Sequence, residues 1–340
     1  MKSQHSFMLK CCFIFAIFCW SCTDKNESEA IHFFQRGNMH FQKKEYENAL
    51  YFFNEAIEKK SDFTDAYNNR GFTYYKMGKF EEALSNFDKA LELQPDYTEA
   101  QFNRALSLYE LSDRRCLDDF EKVAAKFKDS SYVFVSLGNA KSLFQDASGA
   151  VAAFDRAIAL KSSNVEAYVN RGFLYFQQKK WSQAKVDFEK ALSLNSNQPF
   201  ALNNMSMMMA QEEKYTEALQ YVNRALEESP SNPIFKNNKG YYLLMVGKYE
   251  EAKNEIESAL RNNDKNGWIY RNRGIYFLKT NQAQQALSDL EKAEKLDPSI
   301  DLIYYYLGLA YQAKGDLAEA QHAWSRGKAL NDGKSAFMLK

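Results

Sequence analysis

The chain repeats itself at a period of 34 residues. Units begin at Ala30, Thr64, Thr98, Ser131, Val165, Pro199, Pro233, Gly267 and Asp301, so nine adjoining copies fill residues 30–334. The third copy is one residue short, which is why the tripeptide Asn-Arg-Gly recurs at Asn69, Asn170 and Asn272 with spacings of 101 and 102. A period of this length marks a supersecondary unit that stacks on its own neighbours.

Within a unit the pattern is that of a helical hairpin. The eighth place is Gly37, Gly71, Gly138, Gly172, Gly240, Gly274 or Gly308 in seven of nine copies. The twentieth is alanine in eight copies, with Cys116 in the shortened third. Four residues later stands a large apolar side chain: Phe53, Phe87, Phe120, Phe154, Phe188, Val222, Ile256, Leu290 or Trp324. In FEEALSNFDKALEL, Phe80, Ala83, Leu84, Phe87, Ala90 and Leu91 follow the spacing of an amphipathic helix. The helix before it stops at Gly78. Glycine facing alanine lets two backbones approach, and the large residue fills the space beyond. None of the five prolines interrupts a helix: Pro95, Pro230 and Pro298 follow one, and Pro199 and Pro233 open one.

These residues resemble the tetratricopeptide repeat signature over about 305 of the 340 residues. The resemblance implies an all-α fold, a right-handed superhelical solenoid of helix-turn-helix units whose first helices line a concave groove. Two departures stand out. The third repeat lacks the aromatic–glycine pair and is expected to be irregular. After the ninth, residues 335–340 form a tail too short for the usual polar capping helix. The last helix is therefore expected to be covered by a partner, by a second copy of the chain, or by Phe337, Met338 and Leu339.

The sixth place of the unit is asparagine in six copies: Asn69, Asn103, Asn170, Asn204, Asn238 and Asn272. In the family this place faces the groove. The ladder resembles that of the superhelix preceding O-linked N-acetylglucosamine transferase, where it holds peptide backbone. A carboxamide both donates and accepts, so it can clamp a peptide unit of any sequence; asparagine is also the family's commonest residue there. Tyr75, Phe102, Phe173, Tyr241 and Trp268 fall at further groove places, as do Phe34, Phe41, Tyr109, Phe176 and Tyr305. Aromatics are frequent binding anchors, and part of this set is expected to pack between repeats. The arginine of the tripeptide, present as Arg36, Arg70, Arg104, Arg171 and Arg273, is expected to lay its stem on apolar surface and reach solvent or an acid. The carboxylate clamp of tetratricopeptide co-chaperones is absent, since Phe34 replaces its lysine and Glu99 and Asn103 its basic pair.

The N-terminus is an address. Lys2 and Lys10 precede an apolar run from Cys11 to Trp20, followed by Ser21 and Cys22. Ten apolar residues are too few for a helix to span a bilayer, which takes about 20; the layout is that of a secretory signal. It resembles a bacterial lipoprotein signal with Cys22 as the lipidated residue, although Cys19 and Trp20 stand where that motif has leucine and a small residue. On this basis residues 1–21 are a signal peptide and 22–29 a polar tether.

The remaining composition narrows the function. Lysine plus arginine (44) equal aspartate plus glutamate (44), so no overall field draws in nucleic acid. Beyond the signal there are three histidines (His32, His40, His322), one thiol (Cys116), no phosphate loop and no paired-cysteine metal spacing. Neither catalytic residues, metal nor cofactor is expected. The expectation is a non-catalytic, lipid-tethered adaptor in the bacterial cell envelope that binds a protein segment. The alternatives are a secreted or periplasmic chaperone-like module, or the recognition subunit of an enzyme complex.

Overall fold

The computed structural model describes residues 25–339; the signal segment and Cys22 lie outside them. Nineteen helices follow one another among the described residues, with no strand. They are α1 (Lys25–Gln42), α2 (Tyr46–Lys59), α3 (Thr64–Lys76), α4 (Phe80–Leu93), α5 (Thr98–Glu110), α6 (Cys116–Lys126), α7 (Ser131–Leu143), α8 (Ala147–Leu160), α9 (Val165–Gln177), α10 (Trp181–Leu194), α11 (Pro199–Gln211), α12 (Tyr215–Glu228), α13 (Pro233–Met245), α14 (Tyr249–Asn262), α15 (Gly267–Lys279), α16 (Ala283–Leu296), α17 (Ile303–Ala313), α18 (Leu317–Ala329) and α19 (Gly333–Met338). Odd-numbered helices up to α17 are the first of each repeat and even-numbered ones the second. The chain forms two compact units, one ending at Gln145 and the other starting at Asp146, within the fourth repeat.

Each hairpin closes on a left-handed residue. Lys44, Gly78, Ser112, Gln145, Lys179, Glu213, Gly247, Asn281 and Gly315 all have φ between 55° and 87°, one in every turn between first and second helix. Glycine adopts this conformation freely, whereas any other residue crowds its Cβ against the carbonyl. The inner surface of the hairpin is set by the eighth place. A Cβ on Gly172 would stand 2.7 Å from Phe188 Cε1, and one on Gly240 would stand 2.5 Å from Ile256 Cγ1. The sixth repeat has Ser206 in place of the glycine and, in the opposing place, Val222, the smallest of the nine residues there. Volume lost on one helix is thus matched by volume gained on the other.

The tripeptide's arginine is a staple. Arg171 Nε and Nη2 grip Asp187 on α10 at 2.8 and 2.6 Å, while Nη1 reaches Asp155 on α8. Arg104 does the same with Asp119 and Asp88, and Arg273 with Asp289. In the second repeat both acceptors are asparagines, Asn86 and Asn54. Burial there lowers the proton affinity of Arg70, whereas the hydrogen bonds to Asp119 and Asp187 raise those of Arg104 and Arg171.

Two expectations are corrected at the ends of the array, the tether and the tail. Residues 25–29, expected as tether, belong to α1, where Glu27 pairs with Lys60 and Glu29 with Lys59. In the ninth unit, counted from Asp301, the first helix opens only at Ile303, because Ile300 is buried against Gly267 and Leu302 turns left-handed at φ 60°. The tail is a helix, α19, packed on α17 and α18. Asp332 caps it, and the wholly buried Ser335 lies against Gly327; of the three apolar residues expected as cover, Phe337 is 71 % exposed while Met338 and Leu339 are half-buried. The third repeat is irregular as expected: α6 has 11 residues where α2 has 14. Cys116 is fully buried at its start, and burial pushes its thiol up to about 11.

The turn geometry carries a test. Replacing Glu213, at φ 57°, by glycine relieves the left-handed penalty at the cost of a more flexible unfolded chain. The expected net gain is about 0.5–1 kcal/mol, read as a higher midpoint in urea with an unchanged slope; a lower midpoint would show that the turn is unstrained.

Candidate functional site

First helices pack on the first helices of neighbouring repeats within each unit: α1 on α3 and α3 on α5, then α9 through α17 in succession. Among the described residues, second helices pack closely on first ones and not on each other, and α18 packs on the tail helix α19 as well. Within each unit the first-helix face is therefore the inner, more crowded one.

The asparagine ladder runs along this face as a chain of bonds between repeats. Asn103 Nδ2 donates to Asn68 Oδ1 at 3.0 Å, Asn238 to Asn203 at 2.9 Å, and Asn272 to Asn237 at 2.9 Å. Asn69 donates to Asn38 at 2.7 Å. The acceptor in three of the four is the fifth place of the preceding repeat, an asparagine that sequence reasoning passed over although it recurs as Asn68, Asn203 and Asn237. Asn103 and Asn272 are only 2 % exposed, and Asn204 is buried as well; Asn69, Asn170 and Asn238 are half-buried. Asn103 Oδ1 is buried with no partner.

The aromatics divide. Phe102 turns into the core, against Phe120 and Tyr132 at 5.7 and 5.5 Å. Tyr75 is half-buried, its ring parallel to that of Phe72 at 5.9 Å, with Lys76 Nζ over both rings. Burial raises the Tyr75 hydroxyl above its ordinary range, with Glu110 adding to the effect. Phe173 and Trp268 are exposed. Tyr241 is half-buried and meets Tyr215 edge-on.

Trp268 belongs to a row the sequence did not reveal. The second place of repeats six, seven and eight holds Phe200, Ile234 and Trp268, which are 49, 48 and 41 % exposed. In the first unit that place is Asp65 and Glu99 in repeats two and three, and the Glu99 carboxyl is raised by burial and by Asp65. Helix α15 adds Arg271 beside Trp268. Its guanidinium lies 4.9 Å from the ring centres of both Trp268 and Tyr241 and 5.8 Å from that of Tyr306. Burial pushes the Tyr306 and Tyr215 hydroxyls up, so these rings stay neutral and offer π faces.

No helix among the described residues is long and apolar enough to cross a membrane, and no three His, Cys, Asp or Glu side chains gather as metal ligands there. Profiles of the tetratricopeptide repeat match residues 64–97, 165–198, 209–267 and 271–327, and a further TPR repeat profile matches 37–78 and 145–179. The chain belongs to the tetratricopeptide repeat family.

As a tetratricopeptide array it is a scaffold for protein–protein interaction. The array is similar to the solved APC/C hetero-tetramer Cut9–Hcn1, at 14 % identity over 91 % of this chain and 75 % of that one, with a TM-score of 0.64. It is also similar to Pseudomonas aeruginosa pilF, at 24 % identity over 59 % of this chain and 92 % of that one, with a TM-score of 0.50. Both likenesses are of fold. No protein of curated function matches significantly.

The ladder's bonds make Asn69, Asn103, Asn238 and Asn272 structural whatever else they do. Asn272→Ala leaves Asn237 Oδ1 without its donor and is expected to cost about 1–3 kcal/mol, seen as a lower melting temperature by circular dichroism. An unchanged melt would mean the ladder bonds contribute nothing.

Proposed function

We propose that the chain is a non-catalytic adaptor that binds a segment of a partner protein along the first-helix face, and that lipid on Cys22 holds it at a bacterial envelope membrane. The observation that carries the binding reading is the row Phe200, Ile234 and Trp268. Three large apolar side chains, one per successive repeat, stand in water on helices packed side by side. Large apolar side chains exposed in register on neighbouring helices are what an interaction surface offers, and Trp is among the commonest hot-spot residues. Because the row follows the stacking direction, it suits an extended segment.

The tether rests on the order of basic residues, short apolar run, Ser21 and Cys22. Only Thr23 and Asp24 separate Cys22 from α1. The three Cα-to-Cα steps from Cys22 to Lys25 can span at most about 11 Å, so a lipid there would keep the first repeat close against the headgroups. Two or three acyl chains, at about 0.8 kcal/mol per buried methylene, would make that attachment lasting.

Two measurements test these halves separately. A photo-crosslinking phenylalanine analogue placed at residue 200 or 268 should capture one discrete protein, while the same group at the exposed Val186 or Leu317 of second helices should not; equal capture at all four positions would remove the face from the argument. Metabolic labelling with a palmitate analogue should mark the native chain and not Cys22→Ala. Labelling that survives the substitution, or is missing from both, would remove the tether.

A further inference from the structure

Arg271 is unlike the other arginines of the array. It is the one lysine or arginine among the described residues that is buried, at 4 % exposure. Arg104, Arg171 and Arg273 meet aspartates, and Arg326 meets Glu294. Arg271 meets no carboxylate. Its Nε donates to Asn272 Oδ1 at 3.2 Å and its Nη1 to the Asp301 carbonyl at 3.1 Å, which leaves Nη2 with no protein acceptor. The one polar side-chain atom both sealed from solvent and unpartnered among the described residues is Asn103 Oδ1, so Nη2 is not sealed.

Taking a guanidinium out of water without a counter-charge is costly. The rings of Trp268, Tyr241 and Tyr306 attract the cation but neither neutralise it nor accept in its plane. Asp301, whose carbonyl accepts from Nη1, makes no ion pair with Arg271 through its carboxylate, and the first helices around it supply no acid. Helices α11, α13, α15 and α17 carry Lys236, Lys239, Arg271, Arg273 and Lys279 and no aspartate or glutamate. Lys239 and Arg273 are matched by Glu255 and Asp289 on second helices, and Lys236 donates to Ser258. The unmatched cation sits directly beside the exposed apolar row.

We propose that Arg271 is a carboxylate anchor on the first-helix face of repeats six to nine, and that the occupant is an extended protein segment carrying an aspartate or glutamate next to large apolar residues. This rests on the protein-binding reading given above. The acid side chain accepts from Nη2, while its apolar neighbours lie on Trp268, Ile234 and Phe200. A side-chain carboxylate fits better than a chain terminus because the apolar row runs over three repeats, so an extended segment lying on it continues past Arg271, which is only 4 % exposed. A phosphate would need several converging donors, and one nitrogen is free.

The test uses the full chain on a synthetic array of short random peptides, acetylated and amidated so that no terminal charge remains. Bound peptides should share an acid flanked by large apolar residues. In the strongest of them, a Glu→Gln change should weaken binding about tenfold, and the same change should have little effect on binding to R271Q. R271K serves if R271Q does not fold: its ammonium cannot hold the bonds to Asn272 and Asp301 and also reach outward, so the preference for the acid should again collapse. Peptides that bind without an acid, or an equal Glu→Gln loss on wild type and on the variants, would overturn the anchor and leave the groove standing. Binding confined to a parallel array with free C-terminal carboxylates would overturn the side-chain reading. An array with no bound peptide at all would remove the protein-segment reading and the anchor together.

Discussion

Close approach of two helices at a glycine, with a large apolar side chain filling the space opposite, is the contact on which every other part of this molecule depends. A hairpin of two short helices cannot bury its apolar face alone. It gains a core because Phe53, Phe87, Phe120, Phe154 and Phe188 are almost completely buried, and in the first, second and fifth repeats the ring lies where a glycine's Cβ would otherwise stand. Once the hairpin has that shape, its flanks match those of the next one, and stacking follows. The pairing of Ser206 with Val222 in the sixth repeat shows the volume constraint acting across two helices at once.

Polar contacts then divide the two sides of the stack. Between first and second helices, arginine and buried aspartate hold three helices together, as Arg171 does with Asp187 and Asp155. Along the first-helix face, asparagines link one repeat to the next. That ladder stops at α15, where the fifth place is Arg271 and the sixth place of the following repeat is Tyr306. A neutral amide pair is there replaced by a cation among rings, and the structural ranks give way to a group with unspent bonding capacity.

The hairpins, the third repeat's irregularity and the burial of Cys116 were legible in the sequence, because each depends on residues at a fixed separation along one or two helices. The face was legible only in part. Trp268 and Phe173 are exposed, whereas Phe102 occupies a groove place in the same alignment and is buried, because in the third repeat its ring meets Phe120 and Tyr132. The second-place row and the fifth-place asparagines were visible as letters but not as neighbours. Arg271 sits in the string Arg-Asn-Arg, where it looks like its neighbour Arg273. One of the two is satisfied by Asp289 and the other by no carboxylate, a difference that depends on which way each points from α15.

The sequence alone determined the helix-turn-helix unit, its number of copies and its small-against-large packing rule, since all three are periodic and local. Only the tertiary structure decided which polar side chains are consumed in holding repeats together and which keep bonding capacity. It also decided that Glu27 and Glu29 extend the first helix and that Ser335, not Phe337, packs onto the last hairpin. Those outcomes turn on distances between residues tens of positions apart, and on whether an acceptor lies within about 3 Å of a donor, which a pattern of residue types does not contain.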